Sequence, residues 1–169
     1  YNTHNARLRG RKVYRHHGEQ LREREYQSRG NDSDQNRTVK GALKPASTFT
    51  FSLDFENLSD VELGALLWTL ELEEGMVHRL GYAKPLGFGA VKIRVTKLAQ
   101  LKPENRYRSL NEADDGWCSL AADRVAAFKA TFKQAMTALY HQSFDQLEAI
   151  QDLRALLTQP ASDITIHYH

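Results

Sequence analysis

From Thr48 to Phe55 the chain reads TFTFSLDF, apolar at every second position, so that Phe49, Phe51, Leu53 and Phe55 share one face. A period of two predicts a half-buried strand. Directly after it, Leu58-Ser59-Asp60-Val61-Glu62-Leu63 carries the pattern of a helix start. Ser59 is the N-cap, Glu62 stands where it closes a capping box, and Leu58 can staple onto Leu63. The helix is expected to run to about Leu72, with Leu63, Leu66, Leu67 and Leu70 as its apolar stripe and Gly64 as a slight weakness within it.

A glycine-rich stretch, Gly81 to Gly89 (GYAKPLGFG), precedes a second alternating run, Ala90 to Leu98 (AVKIRVTKL). Val91, Ile93 and Val95 face one way and Lys92, Arg94 and Thr96 the other, which predicts a strand with one apolar and one cationic side. Strand, helix, glycine-rich loop and strand, in that order, form half of a ferredoxin-like βαββαβ unit, an α+β fold whose strand order the sequence leaves open. The C-terminal third has helical periodicity. Val125, Phe128, Phe132, Ala135 and Leu139 trace one stripe, and Leu147, Ile150, Leu153 and Leu157 trace another after a break near Ser143. Residues 9–17 (RGRKVYRHH) and 163–168 (DITIHY) predict further short strands, residues 18–36 a mobile polar loop, and residues 100–116 an irregular stretch.

At 169 residues, 41% hydrophobic and 26% charged, the chain suits one ordinary domain and is too short for a large multidomain enzyme. It contains no run of about 18 apolar residues, so no membrane partner is expected. The single cysteine, Cys118, forbids an internal disulfide and an all-cysteine zinc site, as suits a reducing cytosol. The chain opens on Tyr1 in a basic segment and reads as a fragment of a longer protein. Its net charge of +2 conceals a strong alternation: residues 1–45 carry +6, 46–75 carry −7, 76–108 carry +7 and 109–169 carry −4. Basic blocks that meet in a fold would make a face suited to a polyanion.

Two constellations could carry chemistry. Gly81, Gly87 and Gly89 allow close backbone approach to a ligand and free amide groups for phosphate oxygens, with Lys84 as a point charge. The spacing fits neither a P-loop nor a dinucleotide fingerprint, both of which lead into a helix, whereas a strand is expected here. The second constellation interleaves Arg9, Arg11, Lys12 and Arg15 with Tyr14 and continues at Arg37, Lys40 and Lys44. Cations that neutralise phosphates around a ring that can stack suit single-stranded nucleic acid. His16 and His17 would point to opposite faces of a strand and lack neighbouring ligands at metal spacing, so neither a metal nor any other cofactor is expected. His16 or His17, with Tyr14, could instead act as general base and acid in a metal-independent attack of a 2′-hydroxyl on RNA.

Leu80 to Val95 (LGYAKPLGFGAVKIRV), with TFTFSLDFENLSDVELGALLWTLEL and RGRKVYRHH before it, resembles the RAMP superfamily of CRISPR-associated proteins, particularly those of type III systems. The resemblance spans residues 9–98. It implies a ferredoxin-like (RRM-like) RAMP domain over residues 1–98, followed by a helical C-terminal extension over 99–169 packed on the same domain. It also implies CRISPR RNA and other CRISPR effector subunits as partners. Gly81, Gly87 and Gly89 fall on the family's loop glycines and Lys84 on its associated basic residue, with Lys92 and Arg94 extending the RNA path over the sheet. Some family members process precursor RNA with a histidine near the N-terminal part of the domain, a role open here only to His16 or His17. The aspartate used by members that cut target RNA has no match. A protein-interaction scaffold whose basic blocks dock acidic subunits is the remaining alternative.

Overall fold

The computed structural model describes Gly10 and residues 12–17, 41–108 and 115–160. Four α-helices and two small two-stranded antiparallel sheets occur among the described residues, so the fold is mixed α+β. The chain divides into two compact units, one from residues 44–74 and 92–151, the other from 1–43, 75–91 and 152–169. Residues 1–98 and 99–169 each contribute to both units.

In the first of these units α1 spans Asp60–Glu71. Its start follows the sequence closely: Glu62 N–H donates to Ser59 Oγ at 3.3 Å, and Ser59 N–H donates to Glu62 Oε2 at 2.8 Å. Two otherwise orphaned donors are thereby satisfied. The bonds from the Ser59 backbone and hydroxyl hold the Glu62 carboxyl below its ordinary range.

Helix α1 packs on α3 (Ala122–Tyr140), the longest helix among the described residues. Leu63, Leu67, Leu98 and Phe128 form the buried core, with Phe55, Leu66, Val95, Leu120 and Val125 against it. The buried face of α1 is Leu63, Gly64, Leu67 and Trp68, turned from the expected stripe toward Gly64. The cause is steric. A Cβ on Gly64 would collide with the Phe128 carbonyl oxygen and lie 2.9 Å from Phe132 Cβ. The residue read from sequence as a weakness is where the two helix backbones meet. Trp68, Phe132 and Phe144 complete the packing as an aromatic cluster, with Trp68 edge-on to Phe144 at a centroid distance of 5.4 Å. Leu139, expected on the same stripe of α3, is exposed.

Two ion pairs reach from α3 to the end of α1 and the residues just after it, Lys129 with Glu71 and Lys133 with Glu73 at 2.8 Å. Glu71 also accepts from Val95 N–H at 2.9 Å. Burial pushes the Glu71 carboxyl up, but the bonds from Lys129 and Val95 outweigh it and leave the acid below its ordinary range.

The expected strands are corrected here. Residues 48–55 join no sheet, and Phe49, Phe51 and Leu53 are exposed. The two-residue period of Ala90 to Leu98 persists in burial, with Val91, Ile93 and Val95 half-buried and Lys92 and Arg94 exposed, yet only Ala90–Val91 is paired. A period of two gives each residue a face, whereas a ladder also needs a neighbouring backbone. No ferredoxin-like sheet is formed among the described residues. Residues 12–17 likewise form no strand, and residues 163–168 and 18–36 lie outside the described residues. The stretch read as irregular instead holds β3 (Ala99–Leu101), α2 (Pro103–Arg108) and β4 (Trp117–Ser119), with β3 and β4 antiparallel and Gln100 opposite Cys118.

The other unit is built on residues 75–91. Val77 N–H donates to Leu157 O at 3.0 Å and Gln159 N–H to Gly75 O at 3.3 Å, so residues 75–77 run antiparallel to the chain leaving α4 (Glu148–Leu157). His78–Arg79 (β1) then pairs with Ala90–Val91 (β2), closing a hairpin around the glycine-rich loop.

Candidate functional site

Hairpin β1–β2 presents residues 80–89 as a loop whose conformation the sequence enforces at its neck. Leu80 N–H donates to Gly89 O at 2.8 Å, and Gly89 sits at φ +82°. A Cβ there would strike the Leu80 carbonyl, so only glycine both adopts the left-handed backbone and permits this approach. Lys84–Leu86 forms one 3₁₀ turn with Pro85 inside it, and Gly87 N–H closes it on Lys84 O at 3.1 Å.

Arg79, at the end of β1, organises the loop. Its guanidinium donates to Lys84 O at 2.8 Å and Phe88 O at 3.0 Å on the loop, and to Arg15 O at 2.9 Å and Tyr14 O at 3.3 Å on the N-terminal segment. Four carbonyls from two separated stretches converge on one planar cation, which only an arginine fork can serve. With those carbonyls engaged by Arg79, the amide N–H groups of Gly81, Tyr82, Ala83, Lys84, Phe88 and Gly89 make no hydrogen bond among the described residues. Leu86 and Gly87 differ, since their N–H groups bond to Ala83 O and Lys84 O within the turn.

Of the residues singled out from sequence, Lys12, Tyr14, Arg15, Gly81, Lys84, Gly87 and Gly89 belong to this unit, and Arg79 ties Tyr14 and Arg15 to the loop. Lys12 Nζ lies 5.0 Å over the Tyr14 ring, a cation–π contact that covers one face of the ring expected to stack. Tyr82 in the loop is 80% exposed and offers an open aromatic face that the sequence pattern does not single out. Lys92 and Arg94 are exposed in the other unit. Arg9, Arg11, Arg37 and Lys40 lie outside the described residues. Arg79 could have been noticed as the basic residue one position before the Leu-Gly that opens the loop, but its four partners are set by tertiary contacts.

His16 is buried at 1% exposure beneath this site. Its Nε2 lies 2.9 Å from Val77 O, and because a carbonyl only accepts, Nε2 carries the proton and Nδ1 the lone pair. Nδ1 is buried without a partner. Burial, followed by the nearby charge of Arg79, lowers the His16 pKa against the raising effect of the Val77 bond, so the ring is held neutral. Neither nitrogen is presented to solvent, the position a general base for a bound phosphodiester would need. His17 is half-buried. A cavity of about 410 Å³ borders His16, lined also by Arg15, Arg154 and Thr158.

The lowered pKa has a consequence for stability. Below the ordinary histidine value of 6.5 the unfolded chain takes up a proton at His16 that the folded chain refuses, so this contribution is complete above pH 6.5 and declines as pH falls. The melting temperature of the native chain is therefore expected to approach that of His16→Gln as pH is lowered from 7.5 to 5.5. A gap independent of pH in paired thermal denaturation series would contradict the buried neutral state.

Among the described residues no cluster of histidine, cysteine or acidic side chains could hold a metal ion, and no helix is long and apolar enough to cross a membrane. A scan against protein-family models and a search of curated proteins find no match to the chain.

Proposed function

We propose that this chain is an RNA-backbone-binding module of the RAMP type, part of a ferredoxin-like domain, which holds CRISPR RNA within a type III-like effector assembly. The observation that carries this reading is the loop 80–89, in which Arg79 engages two carbonyls while six amide N–H groups are left without a partner among the described residues. Backbone amides in a glycine-rich turn are good donors to phosphate oxygens and read no base sequence. Lys84 in the loop adds charge, Lys12 and Arg15 lie on the segment tied to it by Arg79, and Tyr82 supplies a face on which a base can stack. No cofactor enters this task. Positioning the guide for other effector subunits follows from the resemblance of residues 9–98 to the RAMP superfamily. The burial of His16 supports binding in preference to cleavage.

The test is fluorescence anisotropy of a labelled single-stranded RNA of repeat-plus-spacer length, titrated with the chain across a salt series. Binding should weaken steeply with salt, and Lys84→Ala should reduce both the affinity and the salt slope, the latter by about one unit. No binding at low salt, or binding unaffected by Lys84→Ala, would count against the reading.

A further inference from the structure

We infer that His16 is an acid-released latch: its buried ring clips residues 12–17 to the hairpin that carries the glycine-rich loop, and a proton at Nδ1 frees them. The segment it holds brings Lys12, Tyr14 and Arg15 to that hairpin, so the latch decides whether the two basic constellations stand together. The inference concerns how the segment is held and does not rest on the RNA-binding reading.

Residues 12–17 join neither helix nor strand, so no ladder secures them. Bonds between side chains and backbone tie them down instead. His16 Nε2–H donates to Val77 O at 2.9 Å, just before β1, and Arg79 from β1 donates to Tyr14 O and Arg15 O. Arg15 reaches Ala155 O on α4 at 3.4 Å, a long and exposed contact. His16 by contrast is the most deeply buried side chain among the described residues. The ring that anchors the segment is thus also the group in it whose charge can change near neutral pH inside the fold.

The surroundings make protonation incompatible with this seat. Nδ1 is buried without a partner. Arg79 on β1 acts on the ring through its charge. Arg15 from the same segment and Arg154 from α4 line the cavity that His16 borders, and no acidic residue lines it among the described residues. An imidazolium here would bury a second N–H with nothing to accept it and set a positive charge beside cations. Release relieves both, because in water the ring takes its proton at the ordinary value of 6.5. The ratio of released to docked segment therefore rises by up to about tenfold for each pH unit below that value. The opening is local. Arg79 keeps Lys84 O and Phe88 O, and Leu80 N–H keeps Gly89 O, so the loop stays closed at its neck while the segment leaves.

The experiment is a nuclear magnetic resonance titration of the full chain from pH 7.5 to 5.5. It follows the His16 ring nitrogens, the backbone amides and the Arg79 Nε–H that donates to Tyr14 O. His16→Gln, which keeps an N–H donor for Val77 O and cannot titrate, and His17→Gln are the comparisons. In the native chain and in His17→Gln the amides of residues 12–17 should move toward their unfolded positions, the released fraction rising by up to about tenfold. Arg79 Nε–H should then exchange faster than in His16→Gln at the same pH. The amides of Leu86 and Gly87 and those of α1 and α3 should stay in place, and His16→Gln should remain docked throughout. Four outcomes would overturn the proposal: residues 12–17 unmoved at pH 5.5, His16 taking up its proton while docked, hairpin amides lost together with those of residues 12–17, or His16→Gln releasing with pH as the native chain does. Should glutamine fail to hold the segment or to fold, the first three outcomes are read on the native chain and His17→Gln.

Discussion

Replacing Gly64 by alanine is expected to destabilise the chain by about 3 kcal/mol, the opposite of what helix propensity alone dictates. In an isolated helix, alanine in place of glycine stabilises by about 1 kcal/mol because it restricts the unfolded chain and loses less entropy on folding. Here the added methyl would fall on the Phe128 carbonyl oxygen and 2.8 Å from its carbon. Those are backbone atoms of α3 and cannot swing aside as a side-chain tip could. The helices would have to separate, loosening Leu63 and Leu67 from Phe128 and pulling Trp68 away from Phe132 and Phe144. Urea denaturation followed by tryptophan fluorescence measures the effect. Gly64→Ala as stable as the native chain, or more so, would show that α1 and α3 do not approach in this way.

Arg79→Lys should have the second-largest effect, on the loop and on RNA binding together. Lysine keeps the charge but presents a single ammonium on a flexible stem, and one ammonium cannot meet four carbonyls spread over Tyr14, Arg15, Lys84 and Phe88. The carbonyls that lose their partner are partly exposed and regain water, so the expected loss of stability is modest, about 2 kcal/mol. Local order suffers more. Exchange of the Leu86 and Gly87 amides, which are bonded inside the 3₁₀ turn, is expected to quicken by about tenfold or more, and RNA affinity to fall by a similar factor. Unchanged exchange in the loop would remove Arg79 from its organising role. Quicker exchange with unchanged RNA affinity would separate the loop from the binding surface.

These two residues mark the limit of what the sequence discloses. The capping box of Ser59 and Glu62 was readable because both partners lie within one helical turn, and the stripes of α1 and α3 were readable in part, at Leu63, Leu67 and Phe128, whereas Gly64 and Trp68 are buried in addition and Leu139 is exposed. The positive φ of Gly81, Gly87 and Gly89 belongs with the same local signals. Strand 48–55 was readable as a period but did not become a strand, because pairing depends on a backbone elsewhere. Gly64 looked costly because the carbonyl it makes room for lies 64 residues away in the chain. His16 looked available for catalysis because nothing adjacent in sequence reveals that Val77 O accepts a hydrogen bond from its Nε2–H or that the ring is buried. In the candidate site, loop composition and charge were legible, while the convergence on Arg79 and the exposure of Tyr82 were tertiary facts.

The most direct measurement is amide chemical-shift mapping of the full chain during titration with single-stranded RNA of repeat-plus-spacer length. The largest shifts are expected at the unbonded amides of Gly81, Tyr82, Ala83 and Lys84, with smaller ones at Leu86 and Gly87, whose N–H groups are already engaged. RNA binding that shifts only residues outside 80–89, or leaves all amides unmoved, would contradict a phosphate-binding role for the loop.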